Sequence, residues 1–138
     1  MCSSDLAYGA GGAGSATMAA TKVKAGAEEG SIDTAAFTRM VNENPDSMML
    51  VDVRDPDEFA AGHFKTAVNI PVYQLEDKIK TLSADKPIVF VCGTGARSGE
   101  SYYMVQDVRP ELKNVYYLDG YLTFKKDDTF EITKEPTS

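Results

Sequence analysis

The chain has 138 residues, 43% of them hydrophobic and 25% charged, the balance of one globular domain with a core of its own. Its net charge of −7 offers no basic stripe to neutralise phosphates, which argues against a nucleic-acid partner, and no run approaches the ~20 apolar residues of a membrane span. With one histidine and two cysteines, Cys2 and Cys92, it lacks the roughly four ligands of a structural zinc site, so no metal or other cofactor is expected.

Residues 1–30 are rich in Ala, Gly and Ser and hold no sustained period. Such a segment buries too little apolar surface to offset its ordering entropy and reads as a flexible leader. It lacks the charged and apolar regions of a secretory signal but is compatible with export. A bacterial protein of the cytoplasm or the periplasm fits equally.

From Ser31 the pattern becomes regular. Asp33 or Thr34 caps a helix whose Ala36, Phe37, Met40 and Val41 form an apolar stripe, and Asn42 to Asp46, with Pro45, ends it. Met48 to Val53 is an apolar run suited to a strand covered on both faces. A short helix over Pro56 to Ala61, a short strand over Val68 to Ile70 and a helix over Leu75 to Leu82 follow. Ile88 to Val91 is a third strand, and Ser98 to Gln106 a helix in which Tyr102, Tyr103 and Met104 are expected in the core. Val115 to Leu118 is a fourth strand, ending at Asp119-Gly120. Residues 125–138 form a C-terminal extension, where Thr129 to Thr133 reads either as an edge strand or as a segment packed over the domain.

Short apolar strands alternating with helices predict an α/β fold with a central, mainly parallel sheet flanked by helices on both faces. Sites in such sheets form at the carboxyl ends of the strands, where Asp52, Arg54, Cys92 and Gly120 all fall.

The stretch Ile88 to Ser98, IVFVCGTGARS, sets a thiol at the exit of the third strand. Gly93 and Gly95 follow, then Arg97. A glycine-bearing loop that leads into a helix aims several backbone N–H groups at one point, and a thiol there is held partly as thiolate, the reactive form. A buried structural cysteine is the plainer reading, yet it needs neither a loop able to take positive φ nor an adjacent cation. Counting alone leaves a Cys2–Cys92 disulfide open.

Four ordered segments, LVDVRDPDEFAAGHF (Leu50 to Phe64), AVNIP (Ala67 to Pro71), IVFVCGTGARS (Ile88 to Ser98) and VYYLDGY (Val115 to Tyr121), resemble the single-domain rhodanese family of sulfurtransferases. The likeness covers residues 31–124. It implies that Cys92 is a nucleophile that takes sulfane sulfur as a persulfide from a donor (thiosulfate, a persulfide or a polysulfide). The sulfur then passes to a thiophilic acceptor, small or a protein thiol. It implies that Gly93, Thr94, Gly95, Ala96 and Ser98 surround the terminal sulfur and that Arg97 closes the loop and steadies negative charge there. Asp52, Arg54 and His63 are implied as structural support, with Glu58 and Asn69 as further scaffold.

Two features differ from the family's common pattern: Lys65-Thr66 stands where many members have Pro-Gly, and Arg97 is the loop's only cation. Four residues lie between Cys92 and Arg97, a size suited to sulfur; the family's phosphate-handling branch has one more. A non-catalytic sulfur carrier or partner-binding module is the alternative function.

Overall fold

A computed structural model of the protein describes residues 23–82, 85–125 and 129–133. The first helix, α1 (Thr34–Glu43), starts where Asp33 accepts a hydrogen bond from the Ala36 N–H at 3.0 Å, and a single 3₁₀ turn (Pro45–Ser47) closes the segment. Then come β1 (Met49–Asp52), α2 (Pro56–Ala61), β2 (Val68–Asn69), α3 (Val72–Ile79), β3 (Ile88–Val91), α4 (Ala96–Val108), β4 (Val115–Tyr117), β5 (Tyr121–Phe124) and β6 (Phe130–Thr133).

Among the described residues, four strands form a parallel sheet in the order β2-β1-β3-β4. The period-2 alternation of a strand sends neighbouring side chains to opposite faces. Leu50, Val89 and Val91 therefore join Phe37 of α1 on one face, while Val51, Ile88, Phe90 and Cys92 join Leu75 and Ile79 of α3 and Tyr102 and Val105 of α4 on the other. Helices cover both faces, so β3 is apolar throughout and β1 up to Asp52 at its carboxyl end, which is why the runs read as continuous.

Two helix starts and one core assignment differ from the sequence expectation. Helix α3 begins at Val72, three residues early, because Pro71 supplies a pre-set φ at its start and Val72 donates to the Val53 carbonyl at 3.1 Å. Helix α4 begins at Ala96, directly after the loop. Within it Tyr102 is buried but Tyr103 is half exposed (51%), so the expected core cluster is split between two helix faces.

The expected leader also divides. Residues 1–22 lie outside the described residues, and so does Cys2. Residues 23–30 are held: Ile32 N–H bonds the Tyr117 carbonyl and Tyr117 N–H the Gly30 carbonyl, both at 3.0 Å, along the free edge of β4. Gly30 there has φ +79, and a Cβ would fall 2.3 Å from the Tyr102 ring. Composition carries no trace of this docking, because the ordering comes from backbone bonds to a strand distant in sequence.

The segment left open at the C-terminus pairs. β6 runs antiparallel to β5, and Phe130 and Ile132 pack with Phe124 over the α1 face. A boundary at residue 124 thus cuts a hairpin whose second strand belongs to the body. No helix among the described residues is long and apolar enough to cross a membrane.

Phe64, 6% exposed, fastens this hairpin. Its ring meets Phe37, Phe124 and Phe130 edge-on, at centroid distances of 5.6, 4.9 and 4.8 Å. Such rings carry both buried area and favourable edge-to-face geometry. Phe64→Ala is expected to lower the unfolding free energy in urea by about 3–5 kcal/mol; a loss below about 1 kcal/mol would show that the hairpin is held without the ring cluster.

Candidate active site

The chain leaves β3 at Val91, passes through Cys92 and turns back through Gly93–Gly95 into α4. Gly95 has φ +94, a left-handed conformation that L side chains rarely adopt. A Cβ there would also lie 2.9 Å from the Gly120 backbone nitrogen. Glycine is required twice over, by torsion and by space. The turn aims the Gly95 N–H at Cys92 Sγ, 3.0 Å away, and the Ser98 N–H at the same sulfur, 3.4 Å away. Cys92 carries a free thiol and is buried.

Ser98 is fully buried beneath the loop. The thiol donates to Ser98 Oγ at 3.5 Å, and that hydroxyl reaches the carbonyl oxygens of Leu118 at 3.0 Å and Gly95 at 3.1 Å. Leu122 N–H bonds the Gly93 carbonyl at 2.9 Å, so the strand after β4 pins the loop from above. Thr94 and Ala96 face solvent, and Thr94 Oγ1 accepts from the Ala96 N–H at 3.3 Å. The first intrahelical-type bond of α4 is Gly99 N–H to the Gly95 carbonyl. The N–H groups ahead of it, with the helix dipole behind them, make a setting suited to negative charge.

Arg97 stands at the edge of the loop and has a carboxylate partner there. Its guanidinium is bound by Glu58, with NH1 to Oε1 at 2.8 Å and NH2 to Oε2 at 3.2 Å, and Asp55 Oδ1 stands 4.0 Å from NH1. Glu58 Oε1 also accepts the Asp55 N–H at 3.0 Å, the capping arrangement that starts α2. The Arg97 hydrogen bond holds the Glu58 carboxyl down at about 2, with the Asp55 N–H adding to it. Glu58 in turn raises Arg97, with smaller contributions from Cys92 and Asp55. The charge expected on the sulfur is thus shared with a carboxylate, and Glu58 is its immediate partner. The D-x-x-E spacing of Asp55 and Glu58 is the sequence signal; its link to Arg97, 39 residues on, exists only in the fold.

The expected support residues form a tight lattice at the same rim. Asp52, fully buried, accepts from the Arg54 backbone N–H at 3.0 Å and from its side chain at 2.9, 3.1 and 2.7 Å. Arg54 also donates to the Gly62 carbonyl at 2.6 Å and lies 5.0 Å from the Phe124 ring centroid. Asn69 Nδ2 donates to the carbonyls of Asp52 and Arg54 at 3.1 and 3.0 Å. His63 stands apart: exposed, it stacks on Phe59 and bonds the Phe59 carbonyl at 2.7 Å through Nδ1. A carbonyl only accepts, so Nδ1 carries the proton. No metal-holding group of three or more His, Cys, Asp or Glu occurs among the described residues.

Residues 33–123 match the rhodanese-like domain. The chain belongs to that family. This rhodanese-like chain is 34% identical over 84 residues to thiosulfate sulfurtransferase GlpE of Pseudomonas aeruginosa, covering 59% of the chain and 71% of that protein. It is 39% identical over 67 residues to the putative sulfurtransferase YtwF of Bacillus subtilis, covering 49% and 64%. The match spans less than two thirds of some relatives' length, 41% in one Bacillus subtilis protein. The human single-domain sulfurtransferase TSTD1 superposes with a TM-score of 0.57 at 23% identity, over 70% of this chain and 92% of that one. At that identity the likeness is one of fold.

Gly120 falls at the expected rim, but the sequence does not signal that Asp119 to Leu122 packs its backbone against Gly95 and bonds Gly93.

Folding lowers the pKa of Glu58 from 4.5 towards 2, so its contribution is present above the unfolded value and is lost as pH falls from 4.5 towards 2. The Glu58 side chain is 40% exposed, and exposed pairs are worth about 0.2–1 kcal/mol. Between pH 5 and pH 2, wild type is expected to lose that much more unfolding free energy than Glu58→Gln; parallel curves would show the pair contributes nothing.

Proposed function

We propose that the chain is a rhodanese-type sulfurtransferase working through a Cys92 persulfide. The observation that carries this reading is the convergence of the Gly95 and Ser98 N–H groups on Cys92 Sγ at the start of α4. Donors fixed in advance stabilise an anionic sulfur without reorganising when it forms. Family membership and relatives named as sulfurtransferases support the same reading.

The Cys92 thiolate attacks the outer, sulfane sulfur of a donor. A Cys92 S–S bond forms and the donor's bond to that sulfur breaks, its electron pair leaving as sulfite from thiosulfate or as a thiolate from a persulfide. The outer sulfur, now anionic, is held by the loop N–H groups of Gly93, Thr94, Gly95, Ala96 and Ser98. An acceptor thiolate attacks it in turn, and Cys92 leaves as thiolate. Charge and electrons balance in both half-reactions, and no external base is needed. Arg97 keeps the loop closed through its bond to α2. Asp52, Arg54 and Asn69 hold the rim that carries it, and His63 acts through its stack on Phe59.

Incubation of the pure protein with a sulfane donor, followed by intact mass measurement, is expected to show a gain of one sulfur that is removed by cyanide. Cys92→Ser is expected to show none while unfolding at a temperature close to wild type. Sulfur gained by that variant would refute the mechanism.

A further inference from the structure

The loop's single cation is already occupied. Arg97 sits between two carboxylates, Glu58 in bidentate contact at 2.8 and 3.2 Å and Asp55 at 4.0 Å, and the remaining loop side chains are neutral. Arg54, the other arginine of the rim, is bound to buried Asp52. Glu58 remains ionised at any ordinary pH. Summed locally, one positive side chain (Arg97) and three negative ones (Glu58, Asp55 and Asp119, whose Oδ1 lies 3.2 Å from where a Cβ on Gly95 would stand) edge the loop, in a chain whose overall charge is −7.

An in-line attack by Sγ places the donor's leaving group on the far side of the sulfane sulfur, outside the ring of N–H groups. In thiosulfate that leaving group is a sulfonate, so the donor brings a second negative charge to this edge. An alkyl hydropersulfide, R–S–SH, brings at most one, and brings it on the sulfur that the N–H groups receive. Like-charge contact at an entrance selects against a ligand as effectively as attraction selects for one.

We infer that Glu58 is a specificity-determining residue: by neutralising Arg97 it turns the site against dianionic thiosulfate and towards alkyl hydropersulfides as sulfur donors. This rests on the sulfur-transfer reading of Cys92 given above. Glu58 touches neither sulfur nor donor and acts through Arg97, whose NH2 group lies 4.0 Å from where a Cβ on Gly93 would stand, at the edge of the loop.

The test compares kcat/KM for thiosulfate and for the persulfide of 2-mercaptoethanol in wild type, Glu58→Gln and Glu58→Asp. Gln keeps an acceptor for Arg97 and for the Asp55 N–H but removes the charge; Asp keeps the charge and shortens the arm. Wild type is expected to favour the persulfide by at least about tenfold. Glu58→Gln is expected to raise the thiosulfate-to-persulfide ratio about tenfold, equivalent to about 1.4 kcal/mol, the size Coulomb's law allows for one charge removed near a dianion. Glu58→Asp is expected to stay near the wild-type ratio. A wild-type preference for thiosulfate, an unchanged ratio in Glu58→Gln, or an equal rise in Glu58→Asp would overturn the inference while leaving sulfur transfer intact. Failure of Cys92 to take sulfur from either donor would overturn the sulfur-transfer reading and this inference with it.

Discussion

Everything at the site depends on one backbone conformation, the left-handed turn at Gly95. With φ at +94 the chain leaving β3 folds back around its own cysteine and enters α4 with its free N–H groups turned inward. Any side chain at this position meets both a torsional penalty and the Gly120 backbone at 2.9 Å. That close approach lets the segment after β4 bond the loop at Gly93 and Ser98. The turn thus sets the sulfur's donors and the contact that keeps them in place.

Two arginine–carboxylate pairs border the same rim and do different work because their exposures differ. Asp52 and Arg54 are buried, and each side-chain charge finds several partners, as burial demands. That pair joins β1, the loop before α2 and, through Asn69, β2. Glu58 and Arg97 stand at the surface, where the pair adds little to stability but leaves the loop edge without an unshared cation. Buried charge here is architecture; exposed charge governs what approaches.

A third layer completes the body. The β5–β6 hairpin and the segment 23–32 both add to the core on the α1 side of the sheet, the first through rings gathered on Phe64 and the second through Ile32 and backbone bonds to β4. Both lie outside the repeating strand–helix pattern. Residues 23–30 carry a leader-like composition and Thr129 to Thr133 leave two placements open, because the partners of both stand far away in the chain.

Local patterns were sufficient for the parallel strands, the helices on both faces, the capped start of α1 at Asp33 and the short helix α2. Each rests on periodicity or capping that operates within a few residues. The cysteine, its glycines and the neighbouring arginine were legible for the same reason, being one contiguous segment. Tertiary structure alone decided which carboxylate holds Arg97, that Asp119 to Leu122 bears on the loop, that Tyr103 faces out, and that residues 23–30 and 129–133 belong to the body. These are contacts between residues tens of positions apart. Their partners are chosen by how strands pair and faces pack, which no local period encodes.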